Sequence, residues 1–144
     1  MSNKESNLPE QRLRVLMADD SAAIRDSLSA LISRLPGIEI VGAATTGLEA
    51  LDLIRKLKPD VATLDVRMPE MNGISVLEVI KKERLGVTVI VLTGAAEVEY
   101  KLKCLELGAR FFFHKSTEFE KVIEVLSDYV LRLNDPEAKI RHLP

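Results

Sequence analysis

Five short apolar runs alternate with five stretches of helical periodicity along this chain, and that alternation leaves few folds open. The runs are Leu13 to Ala18, Ile38 to Val41, Val61 to Leu64, Val87 to Leu92 and Arg110 to Phe113. All are strand-sized, far short of the roughly 20 residues a membrane-spanning helix needs. The third and fourth are apolar at every position except Thr63 and Thr88, as expected of strands covered on both faces. The second and fifth are weaker and belong at the edges. Strands that alternate with helices build βαβ units, a parallel sheet and right-handed crossovers. The expected architecture is α/β: a doubly wound five-stranded parallel sheet in the order 2-1-3-4-5. In that order strands one and three are neighbours and the winding reverses between them. Ligands bind at such a point, outside the C-terminal strand ends.

Local signals place the helices. Ser21 is the expected N-cap of the first, whose stripe is Ile24, Leu28, Leu31, Ile32 and Leu35, with Pro36-Gly37 as its stop. Gly42 to Thr45 is expected to turn the chain. Thr46 to Glu49 and Thr117 to Glu120 both have capping-box spacing. Gly86 is the expected stop of the third helix and Gly108 that of the fourth. The fourth helix, about Ala96 to Leu107, carries two apolar stripes: Val98, Leu102 and Leu105, and Tyr100, Cys104 and Leu107. A helix apolar on two sides is deeply buried or meets a partner. Residues 1–12 and 134–144 are polar and read as tails around a domain spanning 13–133.

The balance of residues excludes some classes of function. Hydrophobic residues make up 47% and charged residues 29%, an ordinary globular mixture. A net charge of -2 argues against non-specific binding to nucleic acid or acidic membranes. Cys104 is the single cysteine, so no disulfide forms within the chain, and a cytoplasmic location fits. The polar start, Met1 to Asn7, lacks the apolar core of a signal peptide.

The expected topology gathers polar residues that are scattered along the chain. Asp19 and Asp20 end the first strand, Asp65 the third, Thr93 the fourth and Lys115 the fifth. Neighbouring strands lie about 4.8 Å apart, so these groups line one rim of the sheet. Carboxylates about 4 Å apart repel by roughly 4 kcal/mol per pair at a surface-like dielectric. One lysine does not cancel that, whereas a hard divalent cation does, and Mg²⁺ suits carboxylates and phosphate oxygens. Such a rim can receive a phosphoryl group on a carboxylate nucleophile.

These residues resemble the receiver domains of two-component response regulators. The resemblance covers about Leu13 to Leu133. It rests on Asp19-Asp20, on Asp65 with Met68-Pro69 and Gly73 behind it, on Thr93-Gly94-Ala95 and on Lys115. It implies a flavodoxin-like (βα)5 fold with Asp65 as phosphoacceptor, served by a histidine kinase or a histidine phosphotransfer protein. It implies Mg²⁺ held by Asp19, Asp20, Asp65 and the backbone carbonyl of Arg67. Lys115 and Thr93 would hold the phosphoryl oxygens, and Thr93 and Phe112 would form the switch. The chain would then be no enzyme beyond its own phosphorylation and dephosphorylation. A downstream protein, or a second copy, would dock on helix 4, strand 5 and helix 5, with no direct nucleic acid contact and no membrane.

Two residues depart from the family pattern. Ser116 stands where proline usually follows the lysine, which predicts a trans Lys115-Ser116 peptide. Arg67 places a long cation at the lip of the site, within reach of the phosphoryl group or of a neighbouring acid. His114 is expected to be exposed and without a role in phosphotransfer. The leading expectation is a stand-alone regulator. The alternatives are a receiver belonging to a longer DNA-binding transcription factor, and a receiver-like interaction module that takes no phosphate. A small phosphatase is disfavoured, because no second acid or base is placed to hydrolyse a free substrate.

Overall fold

The computed structural model describes residues 11–95 and 97–135, so the expected tails lie almost wholly outside the described residues. The elements run β1 (Leu13–Ala18), α1 (Ala22–Ile32), β2 (Ile38–Ala44), α2 (Gly47–Leu57), β3 (Val61–Leu64), α3 (Gly73–Glu83), β4 (Thr88–Thr93), α4 (Val98–Glu106), β5 (Phe111–His114) and α5 (Phe119–Leu133). The strands form one parallel sheet in the order β2-β1-β3-β4-β5, as the alternation predicts.

The period-two geometry of the strands divides the core into two layers. Leu16, Ala18, Ala62, Leu64, Val89, Val91 and Phe112 face α2, α3 and α4, which contribute Leu51, Ile54, Val76, Leu77 and Cys104. Leu13, Val15, Met17, Val61, Ile90 and Leu92 face α1 and α5, which contribute Leu28, Ile32, Val122, Leu126 and Val130. The sheet is therefore covered on both faces by helices.

Ser21 caps α1 as expected, accepting from the Ile24 N–H. The helix closes at Ile32 with Ser33 as C-cap, so Leu35 lies beyond it and is half-buried. The expected turn at Gly42 is not there: β2 continues to Ala44. The register with β1 slips between Val15 and Leu16, which pair with Ile40 and Gly42 and leave Val41 as the extra residue of a bulge. Gly42 belongs in the strand because it is crowded: a Cβ there would lie 3.1 Å from Leu16 Cδ1 and 3.2 Å from Leu57 Cδ1. Similarly, α3 ends before Gly86, because Arg84 takes the left-handed conformation at φ 56° and returns its N–H to Ile80 and Lys81. Gly108 does serve at the end of α4, with φ 105°.

The two capping boxes differ in outcome. At α2 the Glu49 N–H donates to Thr46 Oγ1 (3.0 Å), and the Glu49 carboxylate accepts from Thr45, one residue earlier than the pattern prescribes (2.8 Å). At α5 the box does not form. Glu118 is the N-cap without a side-chain cap, and its carboxylate accepts the His114 N–H (2.9 Å) and pairs with Lys121 Nζ (3.1 Å). The His114 N–H, and after it Lys121, hold the Glu118 carboxyl below its ordinary value. A carboxyl lowered by folding stabilises the fold above its ordinary value and stops doing so as pH falls through the lowered one. Glu118→Gln is therefore expected to lower the thermal midpoint at neutral pH and to match the parent once Glu118 is protonated in the folded as well as the unfolded chain. Calorimetric scans across pH would read this.

The two ends of the described chain meet. The Asn134 side chain accepts from the Gln11 N–H (3.0 Å) and donates to the Gln11 carbonyl (3.2 Å). On α4 the two predicted stripes separate cleanly. Cys104 is buried and Tyr100 and Leu107 pack against the core, while Val98, Leu102 and Leu105 are 67%, 62% and 39% exposed. Among the described residues no helix is long and apolar enough to cross a membrane.

Candidate functional site

Sheet hydrogen bonds, rather than loops, fix the polar rim. Asp19 follows β1 directly, Asp65 follows β3, Thr93 closes β4 and Lys115 follows β5. The Asp19 N–H donates to Ala44 O, the Asp65 N–H to Ala18 O and the Lys115 N–H to Thr93 O, each at 3.0 Å. Side chains launched from such anchored positions are held more tightly than side chains on free loops.

Asp65 is the centre. Its Oδ1 accepts the Thr93 hydroxyl at 2.6 Å and the Arg67 N–H at 3.3 Å, and its Oδ2 lies 2.8 Å from Lys115 Nζ. The same Nζ lies 2.8 Å from Asp19 Oδ2. The side chains of Lys115, Asp19 and Asp65 are 18%, 7% and 6% exposed. Asp20 is exposed, yet oxygens of Asp19, Asp20 and Asp65 lie within 4.8 Å of one another. Thr93 is fully buried, and its Oγ1 also accepts the Ala95 N–H (3.0 Å).

The electrostatics are one-sided. Burial pushes the Asp19 carboxyl above its ordinary value, against the bonds it accepts from Lys115 and the Ser21 N–H. Burial also opposes the charge on Lys115, but its bonds to Asp19 and Asp65 outweigh this and hold the ammonium above its ordinary value. Three carboxylates thus face one ammonium, an excess of negative charge on hard oxygen donors. That donor set fits a hard divalent cation such as Mg²⁺.

The structure therefore brings Asp19, Asp20, Asp65, Thr93 and Lys115 together. Phe112 lies apart from the carboxylates, 9% exposed, in the core layer that holds Ala95, Cys104 and Ala109. Of the two contacts expected of Arg67, the guanidinium makes the one to a neighbouring acid: it lies 3.7 Å from Glu97 and 5.8 Å from the Tyr100 ring centre. The Lys115-Ser116 peptide is trans, like every described peptide bond. His114 is half-buried rather than exposed, and its Nδ1 accepts the Ser116 N–H (3.1 Å).

Sequence reasoning missed three contributors. The Arg25 guanidinium donates to the Asp19 carbonyl at 2.7 Å and steadies that residue from α1. A cation near a helix start opposes the helix dipole, which was the available signal. The Ala95 N–H leaves no mark in a sequence. Glu97, the N-cap of α4, makes no side-chain cap bond and meets Arg67 instead.

Gly73 completes the site from behind. Its N–H donates to Val66 O (2.8 Å), and a Cβ there would lie 2.3 Å from the Asp65 carbonyl oxygen and 3.0 Å from Val66 Cα. Both are backbone atoms, so they yield only if Asp65 moves. Gly73→Ala is expected to cost about 1–3 kcal/mol, the usual range for overpacking, read by urea denaturation.

Comparison with known proteins agrees with this geometry. The family model of the response regulator receiver domain matches residues 15–127. A protein-glutamate methylesterase/protein-glutamine glutaminase of Caulobacter vibrioides is 42% identical over 123 residues, which are 85% of this chain and 36% of the relative. The corresponding protein of Pyrococcus abyssi is 38% identical over 92% of this chain and 37% of its own length. The chain thus spans little more than a third of these relatives. Among solved structures, the response regulator domain of Thermotoga maritima CheB superposes with a TM-score of 0.73 at 35% identity, covering 88% of this chain and all 100% of that one. The CheX–CheY–BeF3–Mg complex from Borrelia burgdorferi gives 0.75 at 28% identity, over 88% and 94%. A rim of three acids, a threonine and a lysine on this sheet, matched by the family model over most of its length, makes the chain a member of the response regulator receiver domain family.

Proposed function

We propose that Asp65 is the residue that takes the phosphoryl group, from a phosphohistidine on a histidine kinase or a histidine phosphotransfer protein. The observation that carries this reading is the tethering of both Asp65 oxygens, one by the Thr93 hydroxyl and one by Lys115, at the rim where three carboxylates meet. In the transfer a carboxylate oxygen of Asp65 attacks phosphorus. The bond from phosphorus to the donor imidazole nitrogen breaks, and its electron pair leaves with the imidazole. Lys115 and the Thr93 hydroxyl then hold the phosphoryl oxygens. Asp19 stays against Lys115, and Arg25 fixes its backbone.

Asp19, Asp20, Asp65 and the Arg67 carbonyl would hold Mg²⁺. When bound, it supplies positive charge against the carboxylates and the incoming phosphoryl group. Thr93 and Phe112 form the switch: Thr93 already reaches Asp65, and Phe112 is already packed inward. Phosphorylation stabilises that arrangement over its alternatives, which is a shift of population. The output face is α4, β5 and α5, where Val98, Leu102 and Leu105 stand exposed for a downstream protein or a second copy. The location is cytoplasmic, and the chain acts on no free substrate. The methylesterase and glutaminase activities belong to the relatives so named.

The test is incubation with radiolabelled acetyl phosphate in Mg²⁺ and in chelator, followed by mapping of the adduct. Metal-dependent label on Asp65 is expected. Absence of label under both conditions would favour a receiver-like interaction module.

A further inference from the structure

Arg67 occupies an unusual position, because its two ends answer to different parts of the molecule. Its backbone N–H lies 3.3 Å from Asp65 Oδ1, so its main chain touches the proposed acceptor carboxylate. Its guanidinium lies 3.7 Å from Glu97 Oε2 and over the Tyr100 ring. Glu97 and Tyr100 begin α4, the helix whose outer stripe is Val98, Leu102 and Leu105. One side chain therefore links the reactive rim to the exposed apolar face.

The hold on Glu97 is weak. At 3.7 Å it is longer than a charge-assisted hydrogen bond, and the two side chains are 66% and 56% exposed. A phosphoryl group on Asp65 would bring about two negative charges and three acceptor oxygens beside the same residue. Guanidinium recognises phosphate oxygens with its fork of N–H donors far better than it holds a solvated carboxylate at this range. A flexible arginine whose main chain already sits against Asp65 has a better partner within reach once that carboxylate is phosphorylated.

We propose that Arg67 is a further phosphoryl-binding residue of this site, which exchanges Glu97 and the Tyr100 ring for the phosphoryl oxygens when Asp65 is modified. The proposal rests on Asp65 being the acceptor. Its consequence is a second connection between site and face, beside the proposed switch of Thr93 and Phe112. When Arg67 leaves, the first turn of α4 loses its tie to the β3–α3 loop, and Glu97 and the part of the Tyr100 ring that Arg67 covers are uncovered for a partner.

Exchange and static bracing predict opposite responses, because Glu97 competes with the phosphoryl group only in the first. The probe is beryllofluoride with Mg²⁺ on the full chain, its affinity read by fluorine-19 resonances of the bound anion. Arg67→Ala is expected to weaken binding about tenfold. Glu97→Gln removes the competitor and is expected to tighten binding about threefold. On the Arg67→Ala background Glu97→Gln is expected to change nothing, since the two effects pass through one side chain. In a Tyr129→Phe background Tyr100 is the sole tyrosine, and its emission is expected to change on binding with Arg67 present and much less without it. Glu97→Gln shifting affinity in the same direction as Arg67→Ala, or neither variant shifting it, would overturn the exchange while leaving the acceptor reading intact. No bound-anion resonance in the parent would overturn both.

Discussion

Asp65→Ala is expected to reduce phosphoryl incorporation from acetyl phosphate to background. The neighbouring Asp19 already has one oxygen on Lys115 and the other on the Ser21 N–H, and the Thr93 hydroxyl that orients Asp65 does not bond to it. On the proposed reading Asp19 is therefore not poised to take over as acceptor. The same variant has a second readout. It loses the attraction between Asp65 and Lys115 but is relieved of repulsion between acids, so the two effects offset in chelator. Ligand binding to the folded state alone raises stability, and the variant has one donor fewer. Mg²⁺ is thus expected to raise the thermal midpoint of the parent more than that of Asp65→Ala. Equal label in parent and variant would place the acceptor elsewhere.

Lys115→Ala is expected to have the largest effect on stability. One ammonium touches two carboxylates whose side chains are 7% and 6% exposed, and its removal leaves both buried without a counter-charge. Deleting one partner of a buried pair costs about 3–5 kcal/mol, and because Lys115 is itself 18% exposed we expect about 2–4 kcal/mol. Mg²⁺ is expected to restore much of this, since it neutralises the same acids. The pH dependence has a definite sign. The ammonium is held above its ordinary value, so its contribution is complete below the unfolded value and lost as pH rises through the folded one. The parent should therefore show an alkaline loss of stability that Lys115→Ala lacks. Denaturant midpoints from neutral to alkaline pH, with and without Mg²⁺, would measure both effects, and a variant as stable as the parent in chelator would refute the argument.

The sheet was legible because its signal is redundant. Each strand is marked by composition, by length and by the helices on either side, and the two-layer packing of β1, with Leu16 on one face and Val15 and Met17 on the other, follows from alternation. The rim residues were legible for the same reason, since each sits at a strand end that topology brings to one place. What escaped depends on neighbours distant in the chain. Gly42 looked like a turn residue because nothing local reveals that Leu16 and Leu57 crowd it. Thr117 to Glu120 looked like a capping box because the spacing does not report that His114 offers Glu118 a better-placed N–H. Arg67 had two candidate partners, and only the placement of α4 brings Glu97 to it.

The amide of Asn134 grips Gln11 like a clasp closing a loop of cord. Leu13 opens β1 at the floor of the sheet, with Asp19 at its roof, and α5 descends to the same floor. The Gln11–Asn134 clasp lies some six residues of strand, about 20 Å, from Asp19 and Asp65. Residues 11–134 joined to another protein through these two neighbouring positions would keep the polar rim at the far end of the sheet.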